Sequence, residues 1–405
     1  MEVDILNIPK LRFKEFTDDW KTHKLKNICY INPKSSNLND KFYYIDLECV
    51  QSGRLKYIQC INKLEAPSRA QRVLLPQDIL FQSVRAYQKN SYFFKKENDI
   101  QTVASTGYAQ LRTKKELSLY IYYYLYFQKF IDKVNKLSTG TSYPAINSTD
   151  LGMININIPS FQEQEKIANF LTTIDKKIEN LANTITSLEN QKKGLLQQIF
   201  SQKLRFKDKN GNNYPNWEKK KLGDTLLIQR GGSPRPISDY ITNDKNGLNW
   251  IKIGDCSPNS NIITSTKEKI KPEGLSKTRE VFIGDLILSN SMSFGRPYIL
   301  NINGCIHDGW LLLRNTKKIY NLQFLCYILG SEYTTKQYKK LASGSTVNNL
   351  NIELVSSVDI TIPCLEEQTK IADFFSAFDR KLENQKAQLE HWQQIKKGLL
   401  QQMFV

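Results

Sequence analysis

At 405 residues, with 40% apolar side chains including 19 Phe and 20 Tyr, the chain can build two or three domains with real cores and is not a disordered tail. Its 57 Lys and Arg against 40 Asp and Glu give a formal charge of +17, which calls for a polyanion as partner, either nucleic acid or an anionic membrane surface. No run reaches the ~18 to 20 consecutive apolar residues of a membrane span, and the start, Met1-Glu2-Val3-Asp4, lacks the basic then apolar profile of a signal peptide, so a cytoplasmic protein is expected. Seven scattered cysteines without a C-x-x-C pair, and three histidines, predict buried reduced thiols and neither a zinc site nor a disulfide framework.

In chain order, residues 1–160 form a first head. It opens with Lys10-Leu11-Arg12-Phe13-Lys14 and Trp20. Pro76 to Phe81 reads as a turn-to-strand entry, Gln82 to Lys89 as a polar segment, and Leu117 to Ile131 as a helix. Residues 161–202 are a long helix. A second head, 203–360, opens with the same tag, Lys203-Leu204-Arg205-Phe206-Lys207, followed by Trp217. Gln229 to Arg235 and Asn290 to Arg296 are polar segments with Gly or Pro, Ile283 to Leu288 matches the earlier strand entry, and Leu322 to Tyr333 the earlier helix. Residues 361–405 are a second long helix.

The chain is written twice. Residues 159–200 recur at 363–404 with a constant offset of 204, no gap and 19 of 42 positions identical. In the first copy Ile167, Leu171, Ile174, Ile178, Leu181, Ile185 and Leu188 alternate spacings of four and three. In the second Ile371, Phe375, Phe378, Leu382, Leu389 and Trp392 keep that register, with Gln385 as a polar interruption. An apolar period of ~3.5 residues means a coiled-coil seam, and the simplest partner for each helix is the other, running antiparallel. Lys192 and Lys396 fall on the seam beside Gly194 and Gly398, which marks either a close backbone approach or fraying near a helix end. Gln162 to Glu165 and Glu366 to Thr369 either cap the helices or make contacts. Because the tag follows the first helix directly, the repeat is circular, and the first tag is expected against the end of the second helix.

Charge is segregated: +8 on residues 1–160, +9 on 201–360, and zero on each helix. A membrane-binding helix would carry its Lys and Arg along its own polar face, so nucleic acid is favoured. The expected fold is α+β: two mixed α/β heads separated by two long helices in an antiparallel coiled coil with pseudo-two-fold symmetry. Arg85, Lys89, Arg230, Arg235, Ser291 and Arg296 are the candidate DNA contacts, since Arg and Lys pair with guanine edges while Ser, Arg and Lys take phosphates. Thr139 to Ser142 and Ser343 to Thr346 read as turns closing each head or as phosphate-binding amides. His307-Asp308 has no nucleophile or metal set nearby and reads as structural. There is no phosphate loop or nuclease set, and Asn32-Pro33-Lys34 lacks the aromatic of an adenine methyltransferase motif.

Ile158-Pro159 with Glu163-Gln164-Glu165-Lys166-Ile167, Ile362-Pro363 with Glu367-Gln368-Thr369-Lys370-Ile371, and the matching Asp175 and Asp379 together resemble the specificity subunits of type I restriction-modification enzymes over the whole chain. The resemblance implies that each head is a target-recognition domain for one half of a bipartite site in double-stranded DNA. It implies that the helices set the gap and dock two methyltransferase subunits, with restriction/translocase subunits completing the complex. S-adenosylmethionine, ATP and Mg are then expected on those partners, with no catalysis and no cofactor in this chain. The competing expectation is a non-sequence-specific nucleic-acid-binding scaffold with a coiled-coil spacer.

Overall fold

A computed structural model describes residues 8–96, 98–256, 260–290, 295–342 and 349–405. The chain divides into two compact units, Met1–Leu181 with Gln388–Val405, and Ala182–Ala387. Each unit therefore holds one head, the first half of the helix that follows it, and the last part of the other long helix. The fold is α+β, as expected from the sequence.

In the first unit, strand Lys21–Lys24 pairs antiparallel with Asn155–Ile158, the strand that leads into the first long helix, Phe161–Phe200. Two four-stranded sheets and a short hairpin, Val50–Gln51 with Arg54–Leu55, complete the head. One runs Gln59–Asn62, Lys41–Ile45, Thr102–Ser105, Ala70–Val73, and the other Cys29–Ile31, Tyr108–Thr113, Ile79–Gln82, Tyr92–Phe93. The second unit repeats the plan with five strands per sheet. Glu218–Lys221 pairs with Asp359–Ile362 ahead of the second long helix, Leu365–Gln402. One sheet runs Leu227–Arg230, Trp310–Arg314, Leu286–Ser289, Pro297–Leu300, Ile262–Ile263.

The matched strand entries are real equivalents. Gln77 and Gly284 take positive φ at the turn, 71° and 90°. The next residue closes it: Asp78 Oδ2 accepts the Leu75 amide at 2.7 Å, and Asp285 Oδ2 the Phe282 amide at 2.8 Å. Each aspartate also takes an arginine from the neighbouring strand, Arg112 and Arg314, at 2.8 and 2.5 Å. The strands that follow, Ile79–Gln82 and Leu286–Ser289, are buried throughout.

The single helix expected from Leu117 to Ile131 is instead two, Ser118–Tyr124 and Gln128–Leu137. The amides of Tyr126 and Phe127 reach back only three residues, to Tyr123 and Tyr124. Phe127 is then extended, with its ring turned onto Phe404 at 6.3 Å. Head 2 breaks likewise, between Leu322–Leu329 and Glu332–Ala342, where Ser331 Oγ accepts the Thr334 amide.

In each unit the two long helices run antiparallel. In the first, Lys396 Nζ lies 2.6 Å from Asp175 Oδ1 while Leu400, Met403 and Phe404 join the core that holds Ile167 and Leu171. In the second, Lys192 pairs with Asp379 and Lys386 with Glu189, the latter at 2.7 Å. Ile167, Leu171, Ile174, Ile178, Leu181, Ile185, Leu188, Ile371, Phe375 and Leu382 are buried, whereas Phe378, Leu389 and Trp392 are half-buried. The early positions do more than line a seam. Ile167, Ala168 and Leu171 belong to the core of head 1, and Ile371, Ala372 and Phe375 to that of head 2. The first tag meets the end of the second helix, with the Leu11 amide on Gln402 O at 2.9 Å and Phe404 packed on Tyr120 and Tyr124.

Gly194 and Gly398 correct one expectation. An added Cβ at either position would meet nothing within 4 Å, so no backbone approaches there. Of the seven cysteines, Cys29, Cys49, Cys305 and Cys326 are buried, Cys256 and Cys364 partly so, and Cys60 is exposed against expectation.

Candidate nucleic-acid interface

The repeated Glu-Gln pair turns out to clasp head to helix. Arg12 grips Glu163 through two bonds of 2.8 Å, and Arg205 grips Glu367 at 3.2 and 2.7 Å. Gln164 Nε2 donates to Pro159 O while its Oε1 accepts the Leu117 amide. Gln368 does the same with Pro363 O and the Asn321 amide. These side chains are spent on orienting the heads, so the contact role prevails over simple capping. A second repeated cluster lies one step along each helix. Tyr123 and Tyr327 donate to Asp175 and Asp379 at 2.9 and 2.6 Å, and the Lys396 and Lys192 ammonium groups sit over those same rings at 5.6 and 5.1 Å.

The described candidate DNA contacts fall in four places. Arg230 and Arg235 come together. Arg230 ends strand Leu227–Arg230, and the chain then crosses Gly231 and Gly232, pinned by bonds from their amides to Trp310 O and Ile306 O. Both must be glycine, since a Cβ would lie 2.1 Å from His307 O and 2.6 Å from Lys277 O. The backbone therefore lies flat on its neighbour and lifts Arg235 outward, its side chain 84% exposed. Arg230 Nε donates to Asp308 O at 3.4 Å, Arg235 lies 3.7 Å from the Asp308 carboxylate, and Arg279 Nε donates to Arg230 O at 3.4 Å. Arg279, which arrives from a separate strand, Arg279–Val281, was missed by sequence reasoning.

Arg85 takes a left-handed backbone, φ 54°, in the middle of the polar segment of head 1. Its guanidinium lies on the Tyr143 ring at 4.2 Å and donates to Ser142 O. Thr139 and Ala145 exchange amide bonds of 2.9 Å, so this loop is a closed turn with its Thr139 amide already used. Lys89 points elsewhere. It donates to Gln128 Oε1 at 2.7 Å, and its pKa is lowered first by burial and then by the nearby charge of Lys397. Lys89 thus belongs to the junction of head 1 with the end of the second helix. Arg296 lies over the Tyr298 ring at 5.1 Å and lines a groove of about 1190 Å³ with Cys326, Tyr327, Leu196 and Phe200. Ser291 and the segment 343–346 lie outside the described residues.

The side chains of the two fragments weighed for catalysis are engaged within the heads. Asn32 spends its amide within the head, Oδ1 on the Gln110 amide and Nδ2 on Ser148 Oγ. His307 is wedged between Trp250 and Trp310, and burial holds its pKa below the usual imidazole value. Among the described residues, no group of three or more His, Cys, Asp or Glu could hold a metal, and no helix is long and apolar enough to cross a membrane.

Comparison with known proteins agrees with this geometry. A specificity subunit of the type I restriction enzyme MjaVIII from Methanocaldococcus jannaschii is 23% identical, over 97% of this chain and 94% of that protein. The S subunit of a type I restriction-modification system from M. genitalium, 17% identical, shares the fold with a TM-score of 0.60 over 98% of this chain and 99% of that one. A chain solved in work on the assembly and conformational transition of the type I R-M system, 22% identical, gives 0.62 over 94% and 96%. The family described as type I restriction modification DNA specificity domain matches twice, over residues 17–190 and 214–391. With both heads and most of both long helices inside those two matches, the chain belongs to the type I restriction-modification DNA specificity family.

Proposed function

We propose that this chain is the sequence-reading subunit of a type I restriction-modification complex: each head reads one half of a bipartite site in double-stranded DNA, and the paired helices fix the gap. The observation that carries this is the segregation of charge, with the whole +17 on two heads of like plan and none on the helices. Phosphate neutralisation supplies affinity and needs cations on the reading surface, while base-edge contacts, from Arg and Lys to guanine or Asn and Gln to adenine, supply sequence. Arg230, Arg235 and Arg279 are the assembled set in head 2, and Arg85 leads in head 1. The chain itself performs no chemistry. Two methyltransferase subunits dock along the helices and bring S-adenosylmethionine, and restriction/translocase subunits bring ATP and Mg.

Exchanging residues 1–160 for the first head of a relative, then mapping methylated adenines in a host that carries the partner methyltransferase, is the test. One half-site changes and the other stays. A change in both would refute the division of labour, and methylation without any sequence preference would favour the non-specific scaffold.

A further inference from the structure

A carboxylate on a surface meant for phosphates weakens binding, because each nearby phosphate repels it. Asp308 is such a carboxylate, 46% exposed in a head that carries +9. It is built into the reading loop. Ser233 Oγ donates to its Oδ1 at 2.9 Å, and its own amide points back at Ser233 Oγ at 3.4 Å. Its carbonyl accepts from Asn290 Nδ2 at 2.8 Å and from Arg230 at 3.4 Å, while Arg235 lies 3.7 Å from Oδ2. Three loops are thus tied through one acidic residue. Burial works to raise the Asp308 pKa, yet Ser233, His307, its own backbone and Arg235 together hold it below the ordinary carboxylate value, so it stays charged.

The charge is particular to head 2. The strand Trp310–Arg314 of head 2 and the strand Tyr108–Thr113 of head 1 hold the same place between two neighbours. The turn before them reads His307-Asp308-Gly309 in one and Ser105-Thr106-Gly107 in the other. Two heads of one plan differ here by a full negative charge at the point where the arginines meet.

An arginine as exposed as Arg235 would swing onto the first phosphate it met, a pairing that its two-donor fork makes well. A neighbouring carboxylate opposes that swing and holds the guanidinium as a directed fork, the geometry that pairs two donors with guanine O6 and N7. We propose that Asp308 is a specificity-determining positioning residue of head 2, which trades affinity for discrimination: its carboxylate aims Arg235 at a base edge, while its main-chain carbonyl holds Arg230 alongside. This rests on the reading that the head 2 loop faces DNA.

The experiment uses the full chain with its partner methyltransferase and compares wild type, Asp308→Asn, Asp308→Glu and Arg235→Ala. It reads the methylated-adenine map and the binding of the complex to DNA that lacks the site. Asp308→Asn should bind site-free DNA several-fold more tightly and lose roughly tenfold or more of its discrimination at one position of the second half-site. The first half-site should stay unchanged, and Asp308→Glu should restore the second. Arg235→Ala, too exposed to endanger folding, should relax the same position while weakening binding to all DNA. A purely structural Asp308 would lower methylation at every site without changing the sequence read. That outcome, or an unchanged second half-site in Arg235→Ala, overturns the proposal and leaves the wider reading standing. A wild-type map with no bipartite site overturns both.

Discussion

Arg12 and Glu163, 151 residues apart, are locked by two parallel hydrogen bonds of 2.8 Å, with the carboxylate only 1% exposed. Arg205 and Glu367 repeat the lock in the second unit. A buried ion pair gains little over an apolar pair of the same shape, but removing one partner strands a charge, at a cost of about 3 to 5 kcal/mol. Arg12→Met should therefore lower the stability of the chain by that order in urea unfolding. Adding Glu163→Gln to Arg12→Met should recover part of the loss. Unfolding of Arg12→Met at the wild-type midpoint would show that the clasp holds nothing.

The Lys396–Asp175 pair is partly buried and shared with the Tyr123 hydroxyl, so its members act as a unit. A double-mutant cycle with Lys396→Met and Asp175→Asn should give a coupling of about 1 kcal/mol or more, within the range for residues in one network. Additive losses would assign the two side chains independent roles.

Gly194 and Gly398 sit inside long helices with open space where a Cβ would be. Each should therefore tolerate alanine and gain up to about 1 kcal/mol in the free chain. Loss of stability would mean that a neighbour packs against the glycine after all. A gain in the free chain coupled to weaker assembly would instead place a docking partner's backbone there.

Burial pushes the Cys29 and Cys326 thiols up to about 12, and the Tyr122 and Tyr124 phenols to about 12. In the unfolded chain thiols titrate near ~8.5 and phenols near ~10. The folded protein thus keeps protons that the unfolded chain gives up. Their stabilising effect is complete below the unfolded values and drains away as pH rises from there toward about 12. Urea midpoints should be flat with respect to these groups up to about pH 8 and fall beyond it. A thiol reagent at pH 8 should modify Cys60 promptly and reach Cys29 and Cys326 only on unfolding.

The sequence revealed what repeats at a constant offset. Asp175 and Asp379, Gln164 and Gln368, and the tyrosines that meet them all lie 204 residues apart, because helices and their sockets tolerate no insertions. The heads kept their plan but not their spacing. Asp78 and Arg112 are separated by 34 residues, while their counterparts Asp285 and Arg314 are separated by 29, so no fixed offset aligns them. The break at Phe127 was hidden because an apolar run favours helix until the far end of the chain, Phe404, supplies a better place for the ring. The Gly-Gly-Ser-Pro setting marked the loop on which the structure brings Arg230 and Arg235 together around Asp308. The direction of Lys89, which depends on Gln128 and Lys397, was not legible.

Removing one heptad from the middle of each long helix keeps the seam in register and shortens the spacer by about 10.5 Å, or roughly 3 base pairs at ~3.4 Å each. Mapping methylated adenines with that shortened chain and its partner methyltransferase puts the division between readers and spacer to the most direct trial. The two half-sites should be read unchanged, with about 3 base pairs fewer between them. Altered half-sites at an unaltered spacing would contradict the account.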